Sequence, residues 1–362
     1  MSVEKLLTQN FRNLKSQSLH LHPDLNFILG DNGSGKSSLL EAIFFLGHGK
    51  SFRTTKSEML AHYNSAQFVV SIKNYNSMQL GVARNIEKGT TEIKLNGDKL
   101  SRLSDLAINF AVQVITPESF KLFFGGPKER RRFFDLGMFH VKHQFSNDWR
   151  DFSKVLKHRN ACLRNFQQRS MLAYWTEQFC IYSQKIADQR NDYLIKLREE
   201  LLSWLTLLLP EIGSDIQVQY LQGWNQKKTL AEILTLNNVR ELELGYTTSG
   251  AHKFDVRFNI GRNPIENTLS RGQQKLFLLA LTLAQAKLIE NVKRVKPILL
   301  IDDVGAELDI NSRTAFATAI NRLDCQVIIS AIEKTVLEPI IPADNKYKMF
   351  HVKQGEILEI SE

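Results

Sequence analysis

One eight-residue segment near the start of the chain strongly limits the folds that the chain can adopt. Residues 30–37 read Gly-Asp-Asn-Gly-Ser-Gly-Lys-Ser and match the pattern G-x-x-x-x-G-K-[ST] completely. The apolar run 25–29 precedes this segment, and a helix-forming run that ends at Gly47 and Gly49 follows it. Such a loop turns successive backbone N–H groups around a phosphate, and the helix N-terminus favours the same anion. The segment therefore predicts an α/β core that carries a phosphate-binding loop.

The side chains of this loop have distinct predicted roles. Lys36 supplies a positive charge to the β- and γ-phosphates and is a candidate catalytic residue, while the Ser37 hydroxyl is placed to ligand Mg²⁺. The predicted cofactors are therefore ATP and Mg²⁺. The alternative is a glycine-rich turn that happens to precede a helix. The predicted nucleotide-binding residues here are Gly30, Asp31, Asn32, Gly33, Ser34, Gly35, Lys36, Ser37 and Ser38.

Two adjacent carboxylates close an apolar run near the other end of the chain. Asp302 and Asp303 follow Pro297-Ile298-Leu299-Leu300-Ile301, which reads as a buried strand. A buried strand can end in acids where a cation neutralises them, so Asp302 is predicted to ligand Mg²⁺ directly or through water. Asp303 is predicted to orient and deprotonate the attacking water. The alternative is a pair of solvated acids in a turn.

A third segment precedes the acidic strand. Residues 269–275 read Leu-Ser-Arg-Gly-Gln-Gln-Lys, which has the form of the signature motif of ABC-type ATPases. In that motif a serine and a helix N-terminus face the γ-phosphate held by a second protomer. Ser270, Gly272 and Gln273 are therefore predicted to contact nucleotide across an ATP-dependent homodimer. The alternative is a helix N-cap followed by an amphipathic helix.

The pattern along 362 residues predicts two domains. The first hundred residues read as strands with one helix, and alternating runs at 67–72, 78–84 and 91–95 form an antiparallel β patch beside the nucleotide site. A strand at 254–258, a helix from Gly272 to about Asn291 and a last strand at 326–330, followed by a short tail, complete the α/β pattern. The predicted fold is an α/β ABC-type ATPase head, residues 1–115 and 246–362, with an inserted helical arm, residues 116–245.

Two amphipathic helices account for most of the predicted arm. One has apolar residues spaced by three, four or seven and ends at Pro210; the other precedes it. Each has an apolar stripe that it cannot bury alone, so the two are expected to pack as an antiparallel hairpin. The first stripe comprises Phe145, Trp149, Phe152, Leu156, Leu163 and Phe166, and the second comprises Trp175, Phe179, Tyr182, Ile186, Tyr193, Leu197, Leu201, Trp204 and Leu208.

Composition narrows the functional classes. No apolar run approaches the roughly 18–20 residues that a membrane span requires, and the N-terminus lacks the pattern of a signal peptide. The predicted location is the cytoplasm, without a membrane partner. The three scattered cysteines suit a reducing compartment and argue against a structural zinc site. The formal net charge of +9 favours a polyanionic partner, although basic proteins without one are common.

Taken together, the motifs resemble those of the RecF family of bacterial recombination mediators, which is related to the head domains of SMC-type ATPases. The resemblance covers essentially the whole chain. Its segments are 30–43, 49–53, 125–135, 269–275, and Asp302-Asp303 with Glu307-Leu308-Asp309. The GGP-x-x-RR pattern at 125–131 and the LSRGQQK pattern at 269–275 are specific to this family. The chain departs from the common family pattern at two places: residues 250–255 read Gly-Ala-His-Lys-Phe-Asp where the family commonly reads G-P-H-R-x-D, and Gly305-Ala306 replaces a serine-containing pair. Asp303 takes the place of the glutamate of most ABC ATPases and has a shorter side chain, which is usual in RecF.

The resemblance implies a DNA-binding ATPase of recombinational repair, replication restart and the SOS response. It implies binding to double-stranded and gapped or junction DNA, ATP-induced dimerisation, weak DNA-stimulated ATP hydrolysis, and work with a RecR-like partner that helps to load RecA on single strands. The 307–309 segment is expected to meet its copy across the dimer. Arg53 is a further candidate contact to ATP, and Gln113 is a candidate sensor of the metal.

Two basic segments are candidate contacts to DNA phosphates. One lies at 128–132 and the other at 157–164. Their alternative roles are solvated helix faces and structural ion pairs with Glu129 and Asp135. The candidates are Lys128, Arg130, Arg131, Arg132, Lys157, His158, Arg159 and Arg164.

Two other functional classes share the phosphate loop. A transport ATPase subunit would explain the same three motifs, but it does not call for the helical insertion at 117–209 or for the basic charge balance. A small-molecule kinase would use the phosphate loop but leaves the 269–275 segment unexplained. A co-purifying membrane protein would favour the first of these, and a phosphorylated product formed without DNA would favour the second.

Overall fold

The chain forms two compact units in a computed structural model. The structure describes residues 2–100, 106, 110–142, 144–293, 296–303, 310–322, 324–344 and 346–360. Unit 1 comprises Met1–Phe120, Ser203–Pro210 and Ser270–Glu362, and unit 2 comprises Lys121–Leu202 and Glu211–Leu269. The assignment of residues 246–269 to the head stays a prediction, while in this division those residues group with unit 2.

The elements follow the predicted alternation of strand-rich and helix-rich segments. None of the described helices combines the length and the apolar composition that a membrane span requires. The strands are β1 (Val3–Gln9), β2 (Gln17–His20), β3 (Leu25–Leu29), β4 (Gln67–Asn74), β5 (Gln79–Asn85), β6 (Thr90–Leu95), β7 (Asp98–Leu100), β8 (Val112–Ile115), β9 (Ile216–Leu221), β10 (Asp255–Ile260), β11 (Asn263–Pro264), β12 (Ile298–Ile301), β13 (Gln326–Ala331), β14 (Tyr347–Lys353) and β15 (Glu356–Ile360). The helices are α1 (Lys36–His48), α2 (Pro117–Gly125), α3 (Pro127–Val141), α4 (Phe145–Arg164), α5 (Leu172–Leu208), α6 (Leu230–Leu236), α7 (Asn238–Leu244), α8 (Ile265–Thr268), α9 (Arg271–Lys293) and α10 (Ile310–Ile320).

The main sheet of unit 1 joins strands from both ends of the chain. Its order is β15-β14-β3-β13-β12-β8, and all neighbours pair in parallel except β14 and β15. Every residue of β3, β12 and β13 is buried, as expected for parallel strands that are covered on both faces. Since parallel neighbours share one direction, the carboxyl ends of β3, β13 and β12 lie side by side at one edge of the sheet.

A second sheet of unit 1 confirms the predicted antiparallel β patch. Its order is β2-β1-β4-β5-β6-β7, and β4 alternates between buried and more exposed residues, as a strand with one core face does. Asn96 and Gly97 both have positive φ, 51° and 92°, and connect β6 to β7 in a tight turn. Helix α1 contacts strands of both sheets, and all its residues except Ser37 and His48 are buried. The α1 helix is therefore the centre of the unit 1 core.

The prediction of a short tail after the strand at 326–330 is wrong. Strands β14 and β15 follow it, and β14 pairs in parallel with β3, the strand that leads into the phosphate loop. The two strands mix lysine, histidine and glutamate with apolar residues, so they lack the uniform apolar character of the other strands in this sheet. Their clearest sequence signal is the turn, where Gln354 and Gly355 have positive φ of 49° and 77°.

Unit 2 is built on the predicted antiparallel helix pair, α4 and α5, of which α5 belongs to this unit as far as Leu202. Phe152 and Phe179 lie with ring centroids 5.5 Å apart, and Lys185 donates to Asp148 at 2.8 Å. The contact earlier in α4 is thus made to a residue later in α5, as expected for antiparallel helices. Phe166 was expected in the first apolar stripe, but it lies beyond α4 and is 78% exposed. The reason is that α4 ends at Arg164, before the next turn could bring Phe166 onto the buried face. A three-stranded sheet, β11-β10-β9, completes this unit.

We expect replacement of Gly355 by alanine to destabilise unit 1. Gly355 has φ of +77°, and a Cβ atom there would clash with the carbonyl oxygen of Asn13. Backbone strain of this kind costs about 1–3 kcal/mol, and the clash adds to it. The measurement is the thermal unfolding midpoint of Gly355→Ala against the unmodified chain.

The matched control is Gly89→Ala, since Gly89 also has positive φ, +63°, but a Cβ atom there would meet open space. A midpoint for Gly355→Ala that equals the midpoint of the control would contradict the described contact.

Candidate nucleotide site

The phosphate loop joins β3 to α1 with a backbone that only glycine adopts readily. Gly30, Gly33 and Gly35 have φ of 149°, 79° and 124°, in the region that side chains disfavour. Lys36 is 6% exposed, and its Nζ donates to the carbonyl oxygens of Gly30 at 2.5 Å and Asp31 at 2.9 Å. The ammonium group is therefore folded back over the loop, at the N-terminus of a buried helix.

The two carboxylates lie next to this loop. The Ser37 hydroxyl donates to Asp302 Oδ1 at 3.1 Å, although 265 residues separate the two in sequence. The Ser330 hydroxyl donates to the same oxygen at 2.7 Å, and the backbone N–H of Asp303 donates to Ser330 Oγ at 2.9 Å. Asp303 has φ of +54°, which is uncommon for a residue other than glycine. The chain therefore turns sharply as soon as it leaves β12.

Burial shifts the protonation of the charged groups at this edge of the sheet. It lowers the pKa of Lys36, an effect that nearby Asp303, Asp302 and Asp31 oppose. It raises the pKa of Asp302, while hydrogen bonds from Ser330 and Ser37 act in the opposite direction. Both shifts mean that the charged forms lack part of their hydration. A ligand that brings phosphate oxygens and a cation would compensate both groups.

One cavity of about 500 Å³ joins the loop and the carboxylates. It is open on one side and lies wholly within unit 1. Of the predicted nucleotide-binding residues, Gly30 and Ser34 belong to the loop backbone without lining the cavity. Its lining residues are Arg12, Asn13, Asp31, Asn32, Gly33, Gly35, Lys36, Ser37, Ser38, Arg53, Met59, Ala61, His62, Tyr63, Asp302 and Asp303.

Arg12 is a site residue that sequence reasoning missed. Its guanidinium forms two hydrogen bonds, at 2.8 and 2.7 Å, to the fully buried carboxylate of Glu41 in α1. Arg53 lies 3.8 Å from the same carboxylate, and Ser51 donates to it. Two cations are thus held at the cavity wall by one buried acid, because a buried carboxylate needs partners for its charge. Arg53 lines the cavity, and its contact to ATP stays a prediction.

The segment around Arg12 also supports the loop directly. The Asn13 side chain donates to the carbonyl of Gly33 at 3.1 Å and accepts from Ser38 at 2.8 Å. Asn10 and Arg12 both have positive φ, 52° and 53°. Asparagine at position 10 is the one local signal of this turn. Nothing in the sequence indicated that the turn lies against a loop more than twenty positions later.

The β14–β15 hairpin supports the loop from the other side. The N–H of Gly355 donates to the carbonyl of Ser34 at 2.8 Å, and the N–H of Lys15 donates to the carbonyl of Gly355 at 2.9 Å. Gly30 lies so close to the carbonyl of Val352 that a Cβ atom would clash with it. The loop is therefore held between two turns that come from opposite ends of the chain.

The Ser270 segment belongs to unit 1 but does not line this cavity. Ser270 is exposed and begins α9: its N–H donates to Gln273 Oε1 at 2.9 Å, and its hydroxyl accepts from the N–H of Gln273 at 3.3 Å. This is a capping box, the alternative that the sequence left open. Gly272 follows in the first turn of the helix. The structure does not bring Ser270, Gly272 or Gln273 to the phosphate loop of the same chain.

Two further predictions concern residues outside the cavity. Gln113 lies inside the sheet on β8, 3% exposed, where its side chain donates to Gln285 at 2.9 Å. It does not line the cavity, and its position two residues before the end of its strand is the physical reason. The 307–309 segment, and Gly305-Ala306 before it, lie outside the described residues.

Two of the arginines that were candidate DNA contacts have structural partners instead. Arg130 forms hydrogen bonds of 2.9 and 3.0 Å to Asp255, and Arg159 lies 2.8 Å from Glu241; both arginines are buried. The sequence could not show this, since both acids lie more than 80 residues away. Other members of the two segments remain exposed: Lys128, Arg132, Lys157 and Arg164.

The 250–255 segment, whose role the sequence left uncertain, lies in the core of unit 2. Asp255 is the partner of Arg130, and the Ala251 carbonyl accepts from Arg190 at 2.5 Å. Arg190 also contacts Asp135 at 2.8 Å and stacks over the ring of Phe254 at 3.5 Å. Burial lowers the pKa of His252 to about 4, so this side chain is neutral at pH 7. The segment therefore has a packing role in this unit.

Known proteins with similar sequences span the whole chain. The model of the RecF/RecN/SMC N-terminal domain family matches residues 2–358. The DNA replication and repair protein RecF of Colwellia psychrerythraea is 59% identical over 371 aligned residues, which cover 100% of this chain and 98% of the relative. The protein of the same name from Pseudoalteromonas translucida is 37% identical, with 99% and 100% covered.

Solved structures give the same assignment. A structure described as the recombination mediator protein RecF-ATP in the RecFOR pathway superposes with a TM-score of 0.86 at 26% identity, covering 99% of this chain and 98% of that one. An SMC head bound to the C-terminal winged-helix domain of ScpA, at 16% identity and a TM-score of 0.58, shares the fold. The fold is therefore the predicted ABC-type ATPase head with a helical arm, and the chain belongs to the RecF group of the RecF/RecN/SMC family.

Proposed function

We propose that this protein is an ATP-dependent DNA-binding protein of recombinational repair and replication, with ATP held in the cavity of unit 1. The observation that carries the proposal is the hydrogen bond between Ser37 and Asp302, at 3.1 Å, which joins the two halves of the site. Lys36 would contact the β- and γ-phosphates, and the backbone N–H groups of residues 31–37 would surround them. Names of the relatives, which include DNA replication, DNA repair and ATP, support this assignment.

The donor set at Ser37 and Asp302 fits Mg²⁺. A hydroxyl and a carboxylate oxygen are hard ligands, and a magnesium site that takes few protein ligands is completed by water and phosphate oxygens. The described residues contain no group of three or more histidine, cysteine, aspartate or glutamate side chains that could hold an ion alone. When bound, Mg²⁺ would neutralise charge on the phosphates. Gln113 is not part of this proposed set, because its amide contacts Gln285.

Hydrolysis would depend on the second carboxylate. Asp303 lines the cavity beside Asp302, and we assign it to orient the attacking water and accept its proton. Arg12 and Arg53 face the same cavity and supply positive charge for a triphosphate. The side chain of Asp303 is one methylene shorter than that of glutamate and reaches less far, which fits weak ATP hydrolysis. In this proposal, DNA stimulates the hydrolysis. ATP then acts chiefly as a switch between two states of the protein.

The second state would be a homodimer that closes on ATP. Ser270 and Gln273 are exposed or half-exposed at the start of α9 and lie outside the cavity of their own chain. A second copy could present this capped helix terminus to the γ-phosphate, where its N–H groups and dipole favour the anion. ATP stabilises the dimer only to the extent that it binds the closed dimer more tightly than it binds the monomer.

DNA is the proposed polyanionic partner, in double-stranded form and in gapped or junction form. The chain has a formal net charge of +9, and Lys128, Arg132 and Lys157 are exposed. In the same proposal, a RecR-like protein binds the ATP-bound dimer and helps to place RecA on single strands during the SOS response. The proposed location is the cytoplasm.

We expect Lys36→Ala to weaken ATP binding by at least about 100-fold, since charge-assisted hydrogen bonds contribute about 1.5–3 kcal/mol each. The measurement is titration calorimetry with ATP. Lys88→Ala is the matched control, because Lys88 is an exposed lysine of unit 1 that does not line the cavity. Equal affinities of the two variants would rule out the assigned role of Lys36.

We expect Ser270→Arg to leave ATP binding by the monomer unchanged and to prevent ATP-dependent dimerisation, because a long cation would occupy the space of the γ-phosphate. The mass in solution, with and without ATP, is measured by multi-angle light scattering. Ser214→Arg adds the same charge at an exposed serine of unit 2 and serves as the control. A Ser270→Arg protein that still dimerises with ATP would exclude this segment from the interface.

The proposed partner is tested by DNA binding with and without ATP, on gapped and intact duplexes, over a salt series. We expect binding to require ATP on both forms of DNA. We also expect the logarithm of the binding constant to fall linearly with the logarithm of the salt concentration, because phosphate contacts release counterions. Fluorescence anisotropy of labelled DNA measures this. The proposal fails if ATP has no effect on the affinity for DNA although the comparison with Lys36→Ala has shown that the unmodified chain binds ATP.

A further inference from the structure

Strand β13 lies between the two halves of the site. In the main sheet it pairs on one side with β3, which leads into the phosphate loop, and on the other with β12, which leads into the carboxylates. Ser330 lies on β13 near the carboxyl ends of these strands. It is opposite Ile28 of β3, and it comes one position after Ile329, which pairs with Ile301 of β12. Its side chain is fully buried. One small polar group thus lies between the loop and the acids.

The hydroxyl of this serine contacts both carboxylate residues at once. It donates to Asp302 Oδ1 at 2.7 Å and accepts from the backbone N–H of Asp303 at 2.9 Å. A hydroxyl is the smallest side-chain group that can donate and accept together. We infer that Ser330 is a positioning residue that fixes Asp302 for the metal and Asp303 for water, an inference that rests on the proposed function.

The positive φ of Asp303 explains why such a group is needed. A residue other than glycine held at φ of +54° is strained, and it persists only where its surroundings hold it there. The hydrogen bond from its N–H to Ser330 Oγ is one such restraint. Because Ser330 is 0% exposed, bulk water is not in a position to replace the hydroxyl.

The same hydroxyl also leaves Ser37 free to change partner. Ser37 and Ser330 both donate to Asp302 Oδ1, and the Ser330 bond is the shorter, 2.7 Å against 3.1 Å. If Ser37 were to hold a metal ion instead, Asp302 would keep the hydrogen bond from Ser330. Groups that hold a metal-binding carboxylate in this way often matter nearly as much as the ligand itself.

The test compares Ser330→Ala, Ser330→Thr and the unmodified chain in Mg²⁺ titrations of nucleotide binding, followed with a fluorescent ATP analogue. For Ser330→Ala we expect the half-saturating Mg²⁺ concentration to rise about tenfold or more, as is typical when the hydrogen-bond partner of a metal ligand is removed. Affinity without Mg²⁺ should stay within about twofold, since the loop contacts of Lys36 are intact. Ser330→Thr keeps the hydroxyl and should restore the dependence of the unmodified chain.

Turnover provides a second measurement. Ser330→Ala should lower kcat about tenfold or more and leave KM for ATP within about twofold, because Asp303 loses its position while the phosphate contacts remain. Ser183→Ala is the matched control, since Ser183 is also a fully buried serine but lies in unit 2. Unchanged Mg²⁺ dependence and unchanged kcat in Ser330→Ala would overturn the inference.

A measurement without nucleotide separates this inference from the proposed function. Amide hydrogen exchange of the peptide that ends at Asp303 should accelerate in Ser330→Ala and not in Ser183→Ala, because the N–H of Asp303 loses its acceptor. If the unmodified chain binds no ATP, the proposed function fails, and exchange then decides the inference alone. Equal exchange in all variants would overturn it.

Discussion

The parallel pairing of remote strands is the constraint on which the nucleotide site depends. Strands β3, β13 and β12 are neighbours in one sheet, so their carboxyl ends meet at one edge although the phosphate loop and Asp302 are 265 residues apart. Parallel neighbours cannot be joined by a tight turn, so long connections between them are unavoidable. In this chain, the connection between the parallel neighbours β8 and β12 contains unit 2. Motifs that are distant in sequence can therefore form one site, because the sheet brings the ends of their strands together.

Buried ion pairs shape both units and change how the positive charge of the chain should be interpreted. Glu41 binds Arg12 in unit 1, and acids bind Arg130, Arg159 and Arg190 in unit 2. Removing one partner from such a pair is strongly destabilising, because it leaves a buried charge without compensation. The three arginines of unit 2 are committed to the fold, so a formal charge of +9 is not a measure of the surface that phosphates can reach. Surface exposure, more than composition, decides which basic residues can bind DNA.

The sequence was sufficient for the parts of the structure that local pattern determines. The phosphate loop, the buried strands, the antiparallel patch and the helix pair were predicted because glycine spacing, apolar runs and periodicity are local signals. Arg12, Asn13 and Ser330 were missed because their roles come from tertiary neighbours that no local pattern reveals. Strands β14 and β15 were missed because their mixed polarity resembles a solvated tail. For Arg130 and Arg159 the sequence left DNA contacts and structural ion pairs both open, because their acidic partners are distant in sequence.

The hairpin that supports the phosphate loop has a consequence for biosynthesis. The side chain of Gln17 donates to the carbonyl of Gly355, and the two residues are 338 positions apart. A ribosome therefore translates the loop early and its support more than three hundred codons later. The nascent chain cannot complete its triphosphate cradle while unit 2 is still being made, even though N-terminal segments generally fold first. A polypeptide released before residue 355 is added would contain every predicted loop residue but would lack the support of the loop. Tight nucleotide binding would therefore distinguish chains that include this hairpin from chains that terminate before it.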